Sequence, residues 1–146
     1  MSQGEIKQIL TTYKVVAIVG MSDTIGKHSY RVGSYLKRHA YQIIPVNPTI
    51  GKVLGCKSYR TLLDIPERIQ KTIEVVIIFR KPEDVPPIVE QALKLKARFG
   101  RLCVVWMQVG IVNEEAAQTA LQAGLVVVMD KCIMAEHHRL TKDVSI

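Results

Sequence analysis

Aromatic residues are scarce in this 146-residue chain, at 5%, with a single Trp. No stretch interleaves them with basic residues, so the stacking platform of a single-strand nucleic-acid binder is missing. Cysteine is sparse too. Cys56, Cys103 and Cys132 are odd in number and no pair has CxxC spacing, which argues against a disulfide framework or a zinc site. Apolar runs fall far short of the roughly 20 residues that cross a bilayer, and the leading MSQGEIKQIL has no long apolar region. Linkers, repeats and low-complexity tracts are absent. The expectation is one domain over residues 1–146, in a reducing, cytoplasmic setting, with no nucleic-acid or membrane partner.

Positive charge is plentiful. Twenty Lys and Arg against thirteen Asp and Glu leave a formal charge of +7. The basic residues are scattered and not gathered in a tail. Such a surface favours anionic partners, a phosphorylated small molecule among them, or serves solubility alone.

The segment VVAIVGMSDTIGKHSYRVGSYL, Val15 to Leu36, reads as a buried strand, a polar loop and an amphipathic helix. Val15–Val19 is β-branched and without alternation, as in a strand covered on both faces. Gly20 ends it, where a side chain would obstruct the turn or an approaching ligand. Ser29 is placed to N-cap the helix that follows. A strand, a glycine-bearing loop and a helix start together present free N–H groups and a positive dipole end, a usual seat for phosphate.

The loop departs from two known patterns. In GxGxxG, Ser22 and Ile25 stand where the second and third glycines belong. In GxxxxGK[ST] the glycines are one position too far apart, and His28 replaces Ser or Thr. EVVIIF, the later strand, also lacks a metal-binding acid. The loop reads as a phosphate cradle that does not hydrolyse what it holds, or as a plain strand–helix turn.

Further along, apolar runs alternate with helical patterns. Helices are expected over Glu5–Thr12, Ser29–Ala40, Pro82 to about Arg98, and from the cap Asn113 through Ala123. A short helix over Thr61–Ile69 is interrupted near Pro66. Strands are expected at Val15–Val19, Tyr41–Val46, Lys52–Gly55, Glu74–Phe79, Leu102–Trp106 and Leu125–Met129. This alternation predicts an α/β, Rossmann-like doubly wound, mainly parallel sheet with helices on both faces. Its C-terminal edge gathers Gly20–Ser22, Val46–Pro48, Phe79–Lys81, Met107–Gly110 and Asp130–Cys132.

At that edge neutral Asn47 stands where NAD enzymes commonly carry an acid for the ribose; it binds there or, with the prolines of PVNP, shapes a turn. Phe79 lines an adenine pocket or belongs to the core, and Arg80 meets phosphate or solvent. Lys27, Arg31 and Arg80 are candidates for charge pairing with a ligand. Trp106 and Gln108 form a wall of the cleft, or Trp106 is core. In the tail, Asp130 caps the next segment and Glu136 partners His137, or a Cys132–His pair or a metal site does chemistry. The adjacent His137 and His138 cannot face one point from a helix, and no zinc spacing is present. No metal ligand and no catalytic residue is assigned.

The pieces VVAIVGMSD, SYRVGSYL, IIPVNP, LGCKSYRTLLDIPE, VVIIFRKPEDVP, VVWMQVGIVNEEAA, AGLVVVMDKC and EHHRL, in this order from about Val15 to Leu140, resemble the small CoA-binding proteins. These are stand-alone relatives of the CoA-binding domain in the succinyl-CoA synthetase α subunit. Ile25 and His28 stand where that family often has prolines, and Ile77 or Ile78 where it often has Asp. The resemblance implies a Rossmann-like fold with coenzyme A as ligand. It implies that Gly20, Ser22 and the start of the following helix face the CoA phosphates, with Asn47, Pro48, Phe79 and Arg80 around the adenosine end; Met21, Lys27, Ser29 and Arg31 complete the expected cofactor-binding set. It adds no reaction: the synthetase histidine lies in a second domain and does not map onto His137 or His138. The expectation is non-catalytic binding of CoA or acyl-CoA. An NAD(P)-linked oxidoreductase-like protein and an acyl-CoA-responsive regulatory module, alone, as a homo-oligomer or with a protein partner, are the alternatives.

Overall fold

The computed structural model describes residues 1–141; the expected domain span of 1–146 therefore includes residues 142–146, outside the described residues. Five strands form one parallel sheet: β1 (Val15–Val19), β2 (Gln42–Val46), β5 (Val75–Ile78), β6 (Val104–Met107) and β7 (Val126–Val128). The spatial order is β2-β1-β5-β6-β7. Every neighbouring pair is parallel. The remaining two strands, β3 (Lys52–Val53) and β4 (Cys56–Lys57), pair antiparallel as a separate ribbon.

The unalternating apolar runs are explained by burial on both faces. Ala17, Val19, Val76, Ile78, Val105 and Met107 point to one side, where α4 (Val85–Phe99) and α5 (Glu114–Gln122) cover them. Val16, Ile18, Ile77 and Trp106 point to the other, under α1 (Gln3–Thr12), α2 (His28–Arg38) and α6 (Ile133–Thr141). Asn113 caps α5 as expected, its side chain accepting from the Ala116 N–H at 2.9 Å. Pro45 sits inside β2, which tolerates it as an edge strand.

Three local expectations change. Lys52–Gly55 is not one strand but the first half of the ribbon, turning through Leu54 and Gly55, both at positive φ (52° and 75°). Thr61–Ile69 splits into a 3₁₀ turn at Leu62–Asp64 and a single turn of helix α3 (Glu67–Gln70), with Pro66 between them. Pro82 opens a 3₁₀ turn, Pro82–Asp84, that runs into α4.

From β1 the chain crosses to β2 on one side, then returns to β5 on the other. Sheet growth reverses at β1, and beyond their first residues the connections from β1 and β5 run to opposite faces of the sheet, to α2 and α4. Open α/β sheets bind ligands in the crevice made by such a reversal.

Candidate functional site

Gly20 leaves β1 at φ 88°. A Cβ there would lie 2.5 Å from the Phe79 carbonyl oxygen and 3.0 Å from Arg80 Cδ. Only glycine lets the β1 and β5 loops approach this closely. Met21 follows with its side chain fully buried, filling space that Gly33 of α2 leaves open; a Cβ on Gly33 would lie 2.3 Å from Met21 Cε. Met21 was expected to face the ligand, but the whole residue is 0% exposed and its carbonyl accepts from Asn47 Nδ2 at 3.1 Å, so it shapes the loop and offers no surface to a ligand.

Ser29 does not cap α2. The helix starts one residue earlier, at His28, and Lys27 holds the cap position without a side-chain hydrogen bond. The Ser29 hydroxyl is turned instead to the loop and accepts from the Ser22 N–H at 2.9 Å. The Ser22 hydroxyl in turn accepts from the Thr24 N–H. The loop is thus held by its own serines, while the first turn of α2 has no acidic residue and no cap. Lys27 and Arg31 are exposed and lie one turn apart on this end.

Asn47 links the β1 and β2 loops. Besides Met21, it binds Thr49 through Oδ1, accepting from both the Thr49 N–H and hydroxyl at 3.0 Å. Beside it lies a cleft of ≈ 220 Å³ bounded by Gly20, Pro48, Arg60, Thr61, Arg80 and Ile88. Arg80 pairs with Asp84 at 3.5 Å, both side chains about two-fifths exposed. Phe79 is half-buried, with its ring 6.0 Å from that of His28 in an edge contact. Arg60 was not singled out from the sequence. It reaches the cleft because Tyr59 pairs with Val46, a contact across thirteen positions that no local pattern announces.

The β6 and β7 ends are stitched to each other. Trp106 is core, and its Nε1 donates to the Lys131 carbonyl at 2.8 Å. Gln108, also buried, accepts from the Ile133 N–H through Oε1 at 2.9 Å. Asp130 does not cap α6; at φ 58° it accepts from the Gly110 N–H at 2.7 Å. Glu136 pairs with Arg139 at 3.0 Å and not with His137. His137 is buried, and its Nδ1 lies 2.7 Å from the Tyr35 hydroxyl. Burial, with Lys14, His39 and His138 nearby, lowers its pKa from 6.5 to about 4. The histidine beside Cys132 is one the tail does not contain: His28 Nε2 is 3.6 Å from Sγ. His28 was legible only as a misfit, in the phosphate-loop pattern and again where the resembling family often has a proline. Among the described residues no three His, Cys, Asp or Glu converge as metal ligands, and no helix is long and apolar enough to cross a membrane.

Five expected segments therefore meet on one edge, with uncapped helix donors, four basic side chains and a cleft at the sheet's reversal point. Comparison with known proteins bears on what such an edge holds. The uncharacterized protein YneT of Bacillus subtilis (strain 168) is 40% identical over 136 residues, 93% of this chain and 94% of that one. A hypothetical protein from Pyrococcus horikoshii OT3, of known structure, is 41% identical with a TM-score of 0.86, covering 96% of this chain and 92% of that chain. The ADP-forming acetate–CoA ligase II of Archaeoglobus fulgidus is 34% identical over 83 residues, 56% of this chain but 12% of the ligase. The sequence pattern of the CoA binding domain matches residues 14–138. By that match, over most of its length, the chain belongs to the CoA binding domain family.

Proposed function

We propose that this chain binds coenzyme A or an acyl-CoA along the C-terminal edge of its sheet. In this reading the pyrophosphate sits at the start of α2 and the adenosine end enters the cleft beside Pro48 and Arg80. One observation carries it. An eleven-residue helix begins with no side-chain cap and no acid in its first turn, at the end of the loop that leaves β1 through Gly20. Main-chain donors left open at a helix start favour an anion.

The surroundings fit a ligand with several phosphates. Lys27, Arg31, Arg60 and Arg80 supply positive charge. The Arg80–Asp84 pair is half-exposed and therefore weak, so a phosphate can take the guanidinium from the carboxylate. A cleft of ≈ 220 Å³ suits an adenosine-sized part and leaves the pantetheine arm to lie over β5 and β6. Asn47 favours CoA over NAD. It carries no carboxylate for ribose hydroxyls, and its amide is already engaged by Met21 and Thr49.

Calorimetry tests the proposal. CoA gives saturable heat and binds more tightly than NADP. Arg80→Ala weakens CoA by about tenfold to a hundredfold, the loss of a charged hydrogen bond. No heat at millimolar CoA, or tighter binding of NADP, overturns it.

A further inference from the structure

The β7 end of the edge holds a group that binding alone does not use. Cys132 directly precedes α6, and its carbonyl accepts from the Glu136 N–H at 2.9 Å. The residue is partly exposed and its thiol is free. His28, exposed at the first position of α2, brings Nε2 to 3.6 Å from Sγ. A thiol beside an imidazole is the pairing of a cysteine nucleophile with its base.

A second observation lies next to it. Gln108 is 1% exposed, and its Oε1 is fixed by the N–H of Ile133, the residue after Cys132. That bond sets the amide orientation, because a flipped amide would face donor with donor. The Nε2 group then has no acceptor. Buried donors are normally satisfied, so an unpaired amide group, tied through its own oxygen to the residue after Cys132, calls for an explanation.

We infer that Cys132 accepts the acyl group of a bound acyl-CoA, with His28 as the base. The inference rests on the CoA-binding reading. In that reading the pyrophosphate sits at the start of α2, whose first residue is His28, and the Cys132 sulfur lies 3.6 Å from the His28 ring. The pantetheine arm is about as long as four residues of extended chain, ~14 Å. An arm that arches over β5 and β6 therefore has length to spare to bring its thioester to Cys132.

The step balances without a co-reactant. His28 Nε2 takes the Cys132 thiol proton, and the sulfur attacks the thioester carbonyl. The bond from that carbon to the CoA sulfur breaks, and the departing CoA thiolate takes the proton from His28. One thioester is exchanged for another, so the reaction runs readily in both directions.

Intact-protein mass spectrometry with acetyl-CoA tests the inference, with calorimetry on the same preparation. The expected result is one acetyl group per chain, mapped to Cys132 and not to Cys56 or Cys103, and removed by excess free CoA. Cys132→Ser binds CoA within about twofold of the parent but takes no label. His28→Gln, at saturating acetyl-CoA, is labelled at least about tenfold more slowly. CoA binding without label on Cys132, label spread evenly over the three cysteines, or an unchanged rate in His28→Gln overturns this inference alone. Absence of CoA binding overturns it together with the binding reading.

Discussion

Gly20 and Gly33 do different work, and the difference is visible in what a methyl group would meet. At Gly33 the obstacle is the end of a flexible methionine; at Gly20 it is a main-chain carbonyl, with a left-handed φ in addition. Gly20→Ala should cost about 1–3 kcal/mol from backbone conformation alone, and more once the Phe79 carbonyl is displaced. Gly51→Ala, at a position with open space and no positive φ, should stay within about 0.5 kcal/mol. Urea unfolding of both variants measures the contrast. Equal midpoints would mean that the β1 and β5 loops do not need their close approach. Single residues were also where sequence reading was least secure. Ser29 has the chemistry of a cap, but its hydroxyl is used by Ser22, and nothing in the local sequence distinguishes the two uses. Asp130 at φ 58° is equally silent until Gly110 is seen to donate to it.

Elements were far more legible. Burial on both faces erases alternation, so β1, β5 and β6 announced themselves as parallel strands, and Asn113 with two acids after it marked the start of α5. The β3–β4 ribbon escaped because its turn uses Leu54 at positive φ, a residue that does not advertise one. The last helix shows how an element can be anchored by one polar residue. In α6, His137 meets Tyr35 of α2 and stacks edge-on against His39 and Tyr41. Its pKa falls from 6.5 to about 4 because burial disfavours the charged ring. With the folded value below the unfolded one, the unfolded chain binds the extra proton between them. Stability is therefore complete above about pH 6.5 and is lost as pH falls towards 4. Thermal melts should show this acid-side loss in the parent and a smaller one in His137→Gln, which stays neutral and can still accept from Tyr35. Identical pH dependence in the two proteins would detach α6 docking from His137.

For the whole molecule, the decisive property is where the +7 charge lies. Lys27, Arg31 and Arg60 form no ion pair among the described residues, and Arg80 has only a weak one. Exposed charges lose most of their mutual reach when the Debye length shrinks from ~10 Å at 0.1 M salt to ~3 Å at 1 M. CoA affinity should fall several-fold over that range in titrations at fixed pH. A flat salt response would assign the basic surface to solubility. The gathering of distant segments on one edge was readable from the alternation of strands and helices, since parallel strands leave all their exits on the same side. The depth of the cleft was not, because Arg60 arrives through the Tyr59–Val46 bridge.

The seat of Met21 against Gly33 ties an apolar fit to an ionic task. That one thioether sets how near α2 lies to the sheet, and hence where its opening turn is aimed. Enlarging position 33 would tilt the helix like a misaligned sight, and grip on an anion would slacken although every charged group remained in place.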